Sequence, residues 1–202
     1  MYFVKPPFFL RWIYPQVTWH KSRKTKAIFL TFDDGPIPEI TPWVLDILAQ
    51  YHAKATFFCV GENIEKYPDI FERIKREGHR VGNHTFNHLR GWDHTDQTYF
   101  DNIKKCNELT KTNLLRPPYL QAKRSQLQYL KNYFDIIYCD VLSYDYDTRV
   151  SPEKCYKNVI NNVKNGSIVV FHDNIKAIPR LKHTLPLVLE KLHKKGFSFS
   201  QL

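Results

Sequence analysis

Apolar residues along this chain fall into short, dense runs, each followed by a longer stretch in which they recur every three or four positions. The runs Ala27–Phe32, Ala55–Val60, Arg80–Asn83, Ile136–Asp140 and Ser167–Phe171 read as buried strands, with Asn113–Leu115 and Phe197–Phe199 as weaker ones. The stretches between them read as helices. Thr41-Pro42 opens one running to about Tyr51, with Thr as N-cap and Pro in the first turn, and Pro68 opens another that stops near Gly78. Thr95–Lys111, Lys123–Asn132, Ser151–Val163 and Ile178–Lys195 complete the set. Strand alternating with helix predicts parallel strands joined by right-handed crossovers, and six or seven such units predict an α/β barrel, closed or nearly so. Chemistry on such a barrel gathers at the C-terminal ends of its strands. Asp33, Asp34, His84, Arg116, Asp140 and His172 each sit just after a predicted strand, so one shared site is expected.

A length of 202 residues suits one domain with a substantial core. The net charge of +10 points to an anionic partner. The basic residues are spread over helix faces (Lys104, Lys105, Lys154, Lys157, Lys191) and form no single block, so no nucleic acid is expected. The first acid is Asp33. Residues 1–25 therefore form a basic and aromatic arm, expected to pack over the catalytic domain at 26–202 and a candidate for contact with an anionic membrane surface. Its apolar run Phe8-Phe9-Leu10 ends at Arg11 with no small-residue cleavage site, and no stretch approaches the roughly 18 apolar residues of a spanning helix. A cytoplasmic place, membrane-associated or not, is the default expectation and the compartment stays open. Cys59, Cys106, Cys139 and Cys155 show no CxxC pair and are expected as buried thiols.

The chemistry-bearing residues cluster in a few segments. Asp33 and Asp34 are adjacent at a strand end, and their mutual repulsion calls for a cation or a shared proton. His84 and His88 are four residues apart, a spacing that puts both on one face of a helix or helix-like turn. An isolated pair of this kind is often a surface coincidence, but this one follows a strand directly. Two imidazoles and one carboxylate would make a three-ligand set with a coordination position left open, as in catalytic zinc sites. Arg116-Pro117-Pro118-Tyr119 is a stiff segment whose guanidinium can hold a carboxylate. His172 ends an apolar strand, and Asp145 follows the preceding one, where it could raise the pKa of His172. Of the remaining histidines, His94 is the one closest in sequence to His88.

Taken in order, these segments resemble the polysaccharide deacetylases of the NodB-homology type, carbohydrate esterase family four. The resemblance runs from about Lys26 to the C-terminus through Thr31-Phe32-Asp33-Asp34-Gly35, Lys54–Phe58, Gly78–Thr85, Arg116–Tyr119 and Phe171-His172-Asp173. It implies a distorted (β/α) barrel of about seven parallel strands. It also implies a metal-dependent hydrolase removing N-acetyl groups from N-acetylglucosamine units of a peptidoglycan- or chitin-like glycan. Asp34, His84 and His88 match the positions that bind one divalent metal ion, usually zinc. Asp33 matches the catalytic base, Arg116 the residue orienting it, His172 the catalytic acid and Asp145 its carboxylate partner. The Tyr119 N–H matches an oxyanion donor, with Pro118 and Tyr146 beside the substrate.

Three departures bear on substrate fit. Leu120 stands where the family has Gly, suggesting a bulkier groove floor; Tyr146 replaces a Trp wall; Val169 replaces a Leu of the acetyl pocket. The glycan partner is expected, anionic or neutral, and no protein partner is inferred. The alternatives are a deacylase of a smaller or lipid-linked N-acyl compound, and a glycan-binding module without activity.

Overall fold

The computed structural model describes residues 4–202, and the first three positions of the 1–25 arm lie outside the described residues. In chain order the first half holds α1 (Leu10–Ile13), β1 (Val17–Thr18), β2 (Ala27–Asp33), α2 (Thr41–Gln50), β3 (Thr56–Cys59), α3 (Gly61–Lys66), α4 (Pro68–Arg76) and β4 (Arg80–Asn83). The second half holds α5 (Asp96–Thr110), β5 (Leu114–Leu115), α6 (Arg124–Leu130), β6 (Asp135–Ile137), β7 (Val141–Leu142), α7 (Pro152–Ile160), β8 (Ile168–His172), α8 (Ile178–Lys194) and β9 (Ser198–Phe199). The sheet runs β1-β6-β5-β4-β3-β2-β8-β7, with β9 added on β2, and its ladders are parallel. This is the distorted, open-sided (β/α) barrel.

Period-two alternation sorts the strand side chains. Ile28, Leu30 and Phe32 of β2 and Val169 and Phe171 of β8 belong to the cluster that packs on α2 and α8. Phe29 and Ile168 pack instead with Phe58, Leu114 and Ile137, and Thr31 and Asp33 turn toward Arg116. Helix α8 carries Pro186 in its interior, a change that costs about 3 kcal/mol in an isolated helix. It persists because Leu181, Leu185, Val188, Leu189 and Leu192 are all fully buried, at about 1.5–3 kcal/mol each.

One expected strand is cut short, and a further strand follows it. The run Ile136–Asp140 leaves the sheet after Ile137, crosses through Tyr138 to Asp140, and re-enters at the other end of the path as β7. Tyr138 N–H donates to the Thr18 carbonyl at 2.9 Å, and Asp140 N–H to that of Ile168 at 3.0 Å. Asp140 thus precedes β7 and lies beside the start of β8, at the opposite end of the barrel from the expected site. There it accepts from Arg11 at 2.9 Å, Arg23 at 2.9 Å and Ser167 at 2.6 Å. Burial opposes its charge, but Ser167 and the two guanidiniums hold its carboxyl below the ordinary range. It is a clamp, not a site residue.

The described part of the arm touches both margins of the open sheet. Its β1 pairs with β6, while the Val4 carbonyl accepts from Leu142 N–H of β7 at 2.9 Å. Leu10 and Tyr14 pack beside Val17, Trp19 and Tyr138. Two local expectations are corrected. Thr41 is the first helical residue and Ile40 the N-cap, because the Thr41 hydroxyl is committed to Ile37 N–H and Asp173. Helix α3 was not foreseen, its six residues being too few for a periodic signal.

Candidate active site

The β2 strand delivers Asp33 and Asp34 to the C-terminal mouth of the barrel, and β2 ends as Asp34 turns out at φ +89°. Four contacts fix that turn. Asp34 N–H donates to Phe58 at 3.2 Å, its carbonyl accepts from Asn63 Nδ2 at 2.7 Å, and its Oδ2 accepts from Asn174 Nδ2 at 2.6 Å. Gly35 N–H donates to Asp173 Oδ1 at 3.1 Å. Oδ1 of Asp34 is left buried with no hydrogen-bond partner. His88 Nε2 stands 3.2 Å from it and His84 Nε2 3.5 Å, close but out of line for hydrogen bonds. Burial opposes its charge, yet these imidazoles and the charge of His172 keep the Asp34 carboxyl well below the usual carboxylate range.

The histidine pair reaches this point by an irregular loop, not the helix-like turn its spacing suggested. Thr85 and His88 adopt φ +63° and +58°, conformations that cost non-glycine residues about 1–3 kcal/mol each. Side-chain bonds hold them there: Asn83 Oδ1 accepts from Thr85 N–H, and Thr85 Oγ1 from Leu89 N–H, both at 2.8 Å. His84 Nδ1 donates to the Arg116 carbonyl at 2.7 Å, which fixes the tautomer and turns the Nε2 lone pair inward. The ligand atoms of Asp34, His84 and His88 lie within 4.8 Å of one another and are the one such cluster among the described residues. An orphaned carboxylate oxygen facing two imidazole nitrogens fits a divalent ion. His94 stands outside it, its carbonyl accepting from Lys123 Nζ at 2.6 Å.

Arg116 follows β5 and is fully buried. Its guanidinium donates to Asp33 Oδ1 and Thr31 Oγ1 at 2.7 Å each, and to the carbonyls of Ile137 and Tyr138 at 3.2 Å each. The face of the guanidinium lies over the Phe58 ring, 4.1 Å from its centroid. The cation therefore fills the barrel interior and engages one Asp33 oxygen.

His172 is the register partner of Asp33 on the neighbouring strand. Asp145 accepts from its Nδ1 at 2.8 Å and from its backbone N–H at 2.7 Å, while Ser143 Oγ donates to the same carboxylate at 2.9 Å. Burial disfavours the imidazolium, but Asp145, with Asp34 and Asp33 behind it, pushes the His172 pKa up to about 9. Tyr146 stands edge-on to the His172 ring at 4.7 Å, so an aromatic wall is present at this position.

Tyr119 adopts φ +59° and exposes its ring at the mouth, 4.8 Å from that of His88, above a buried Pro118. Leu120, at φ +55°, is partly buried and packs back against the Trp19–Leu127 cluster. Val169 is fully buried on the helix side of β8.

Sequence reasoning missed the residues that hold these groups in place. Asn63 and Asn174 grip Asp34, and Asn83 shapes the histidine loop. Asp173 joins Gly35 N–H to Thr41 Oγ1, the latter at 2.6 Å. Burial, reinforced by the Asp34 charge, raises the Asp173 pKa to about 8 against the opposing hydrogen bonds. The one available signal was position: Asp173 and Asn174 directly follow His172.

The sequence profile described as polysaccharide deacetylase matches residues 20–133. A peptidoglycan-N-acetylglucosamine deacetylase of Bacillus cereus is 34% identical over 194 residues, covering 91% of this chain and 89% of that protein. A chitooligosaccharide deacetylase of Azorhizobium caulinodans is 32% identical over 163 residues, covering 75% of this chain and 76% of the other. A solved structure of a peptidoglycan N-acetylglucosamine deacetylase, in complex with 4-naphthalen-1-yl-N-oxidanyl-benzamide, superposes with a TM-score of 0.86. Its identity is 31%, and it covers 98% of this chain and 95% of its own.

Proposed function

This chain belongs to the polysaccharide deacetylase family, and we propose that it removes N-acetyl groups from N-acetylglucosamine units of a peptidoglycan- or chitin-like glycan. One observation carries the metal-dependent reading: Asp34 Oδ1 is buried without a hydrogen bond while two imidazole nitrogens converge on it. Asp34, His84 and His88 would hold one divalent ion, and their mixed nitrogen and oxygen donors suit zinc. When bound, that ion supplies Lewis-acid polarisation of an acetyl carbonyl and acidification of water.

The chain's own groups account for the proton traffic. Arg116 engages one oxygen of Asp33 and leaves the other to accept a proton from the attacking water. The Tyr119 N–H is the assigned donor to the developing oxyanion, a contribution of roughly 100- to 1000-fold in rate. His172, cationic because Asp145 holds its Nδ1–H, donates from Nε2 to the leaving amine. Base and acid thus keep opposite protonation states at one pH.

Acetate release from N-acetylchito-oligosaccharides and from peptidoglycan fragments tests this reading. Activity should vanish with a chelator, return with zinc, and fall by about 100- to 10,000-fold in Asp33→Asn. Glycan binding without acetate release, with Asp33→Asn indistinguishable from the parent, would contradict it.

A further inference from the structure

The end of the barrel opposite the metal ligands carries a second surface feature that the reaction does not use. Helix α1 and the turn before it present Phe8, Phe9, Trp12 and Ile13 to solvent, at 70%, 46%, 78% and 44% exposure. Phe8 touches both Phe9 and Trp12 edge-on, with centroids 6.2 and 5.6 Å apart, so the aromatic rings are continuous. Buried neighbours do not explain them, and apolar side chains of this size exposed together mark an interaction surface.

A basic loop lies beside this patch. Arg11 of α1 and Arg23 bind the two oxygens of the same carboxylate, Asp140, which draws residues 20–26 against α1. Lys21 N–H donates to Gly166 just before β8, and Lys26 directly precedes β2, so the loop runs along the N-terminal ends of those strands. Lys5, Lys21, Lys24 and Lys26 have no acidic partner among the described residues. The acids Asp33, Asp34, Asp145 and Asp173 stand at the other end, around the candidate metal centre.

We propose that this end docks on an anionic lipid bilayer, with Phe8, Phe9, Trp12 and Ile13 entering the headgroup region and Lys21, Lys24 and Lys26 lying over it. Aromatic side chains interleaved with lysines are the chemistry that an anionic interface recognises, one group by partitioning and the other by charge. The seating leaves the C-terminal mouth facing away from the membrane, open to a glycan on the aqueous side.

Co-sedimentation with vesicles of phosphatidylcholine alone, and of phosphatidylcholine mixed with phosphatidylglycerol, tests the assignment. The chain should partition onto the mixed vesicles and not the neutral ones. Phe8→Ser with Trp12→Ser, and separately Lys21→Glu with Lys24→Glu, should each weaken partitioning by at least about tenfold. Both variants change side chains remote from the candidate metal centre, and both should keep the parent's acetate release from soluble chito-oligosaccharide, so loss of docking is separable from loss of fold or of catalysis. No partitioning by the parent chain would overturn the proposal, as would partitioning indifferent to the aromatic pair. It would also fall if gel filtration showed self-association that the aromatic substitutions abolish, or if the same substitutions abolished retention on insoluble peptidoglycan.

Discussion

Asp33 and His172 occupy one rung of the β2–β8 ladder, so the proposed proton acceptor and proton donor are cross-strand neighbours on a rigid sheet. Each is paired from behind with a buried group of opposite charge, Arg116 for Asp33 and Asp145 for His172. The metal-binding candidate Asp34 follows Asp33 directly. Three functions are thereby fixed by the geometry of two strands, and the predictions below separate them.

The pH response isolates the acid. In the metal-free protein His172 should titrate near 9, raised from its ordinary 6.5 despite burial, because Asp145 stabilises the imidazolium. A raised pKa stabilises the fold fully below 6.5, and that contribution is lost as pH rises from 6.5 through about 9. A bound dication repels the imidazolium and draws this pKa downward. Asp145→Asn should lower it further and shift the alkaline limb of kcat to lower pH, as NMR titration of the imidazole and a pH–rate profile would record. An unchanged limb in Asp145→Asn would count against His172 as the donor.

Arg116 is the most exacting position for stability. Its guanidinium supplies Asp33, Thr31 and two carbonyls, a planar array that three lysine donors cannot reproduce. Arg116→Ala leaves Asp33 buried and unpaired and should cost about 3–5 kcal/mol in urea unfolding. Arg116→Lys should retain part of that stability while losing most of kcat.

Asn174 holds the oxygen of the candidate ligand Asp34 that faces away from the two imidazoles. Removing its 2.6 Å bond to Asp34 Oδ2 in Asn174→Ala should weaken metal affinity by about 10- to 100-fold. Competition with a chromogenic chelator measures this directly. Saturating metal should then restore kcat, which distinguishes a positioning role from a catalytic one.

Gly35 is required by space. A Cβ there would lie 2.0 Å from Asp173 Oδ2, and Asp173 is held on its other oxygen by the Gly35 N–H itself. Gly35→Ala should cost about 1–3 kcal/mol and disturb the Asp34 turn, read as a lower midpoint of unfolding together with reduced metal affinity.

How far the sequence revealed this arrangement depended on whether the determining contact was local. Apolar runs gave β2, β3 and β8 nearly to the residue, because strands buried on both faces must be continuously apolar. The Ile136–Asp140 run hid its break: it stays apolar through Cys139, and nothing local signals that the chain leaves the sheet after Ile137. Asp140 was consequently grouped with the site although its partners Arg11, Arg23 and Ser167 are remote in sequence. The candidate ligands Asp34, His84 and His88 were legible from residue type and strand-end position. Their supports Asn63, Asn174 and Asp173 were not, since amides and acids in loops look alike until a partner is seen.

The central claim is that one ion sits between Asp34, His84 and His88. Diffraction at the zinc absorption edge from crystals of the zinc-loaded protein tests it most directly. The account predicts a single strong anomalous peak about 2.0–2.2 Å from Asp34 Oδ1, His84 Nε2 and His88 Nε2. A peak bound elsewhere, or none at that point in a protein that still releases acetate, would contradict it.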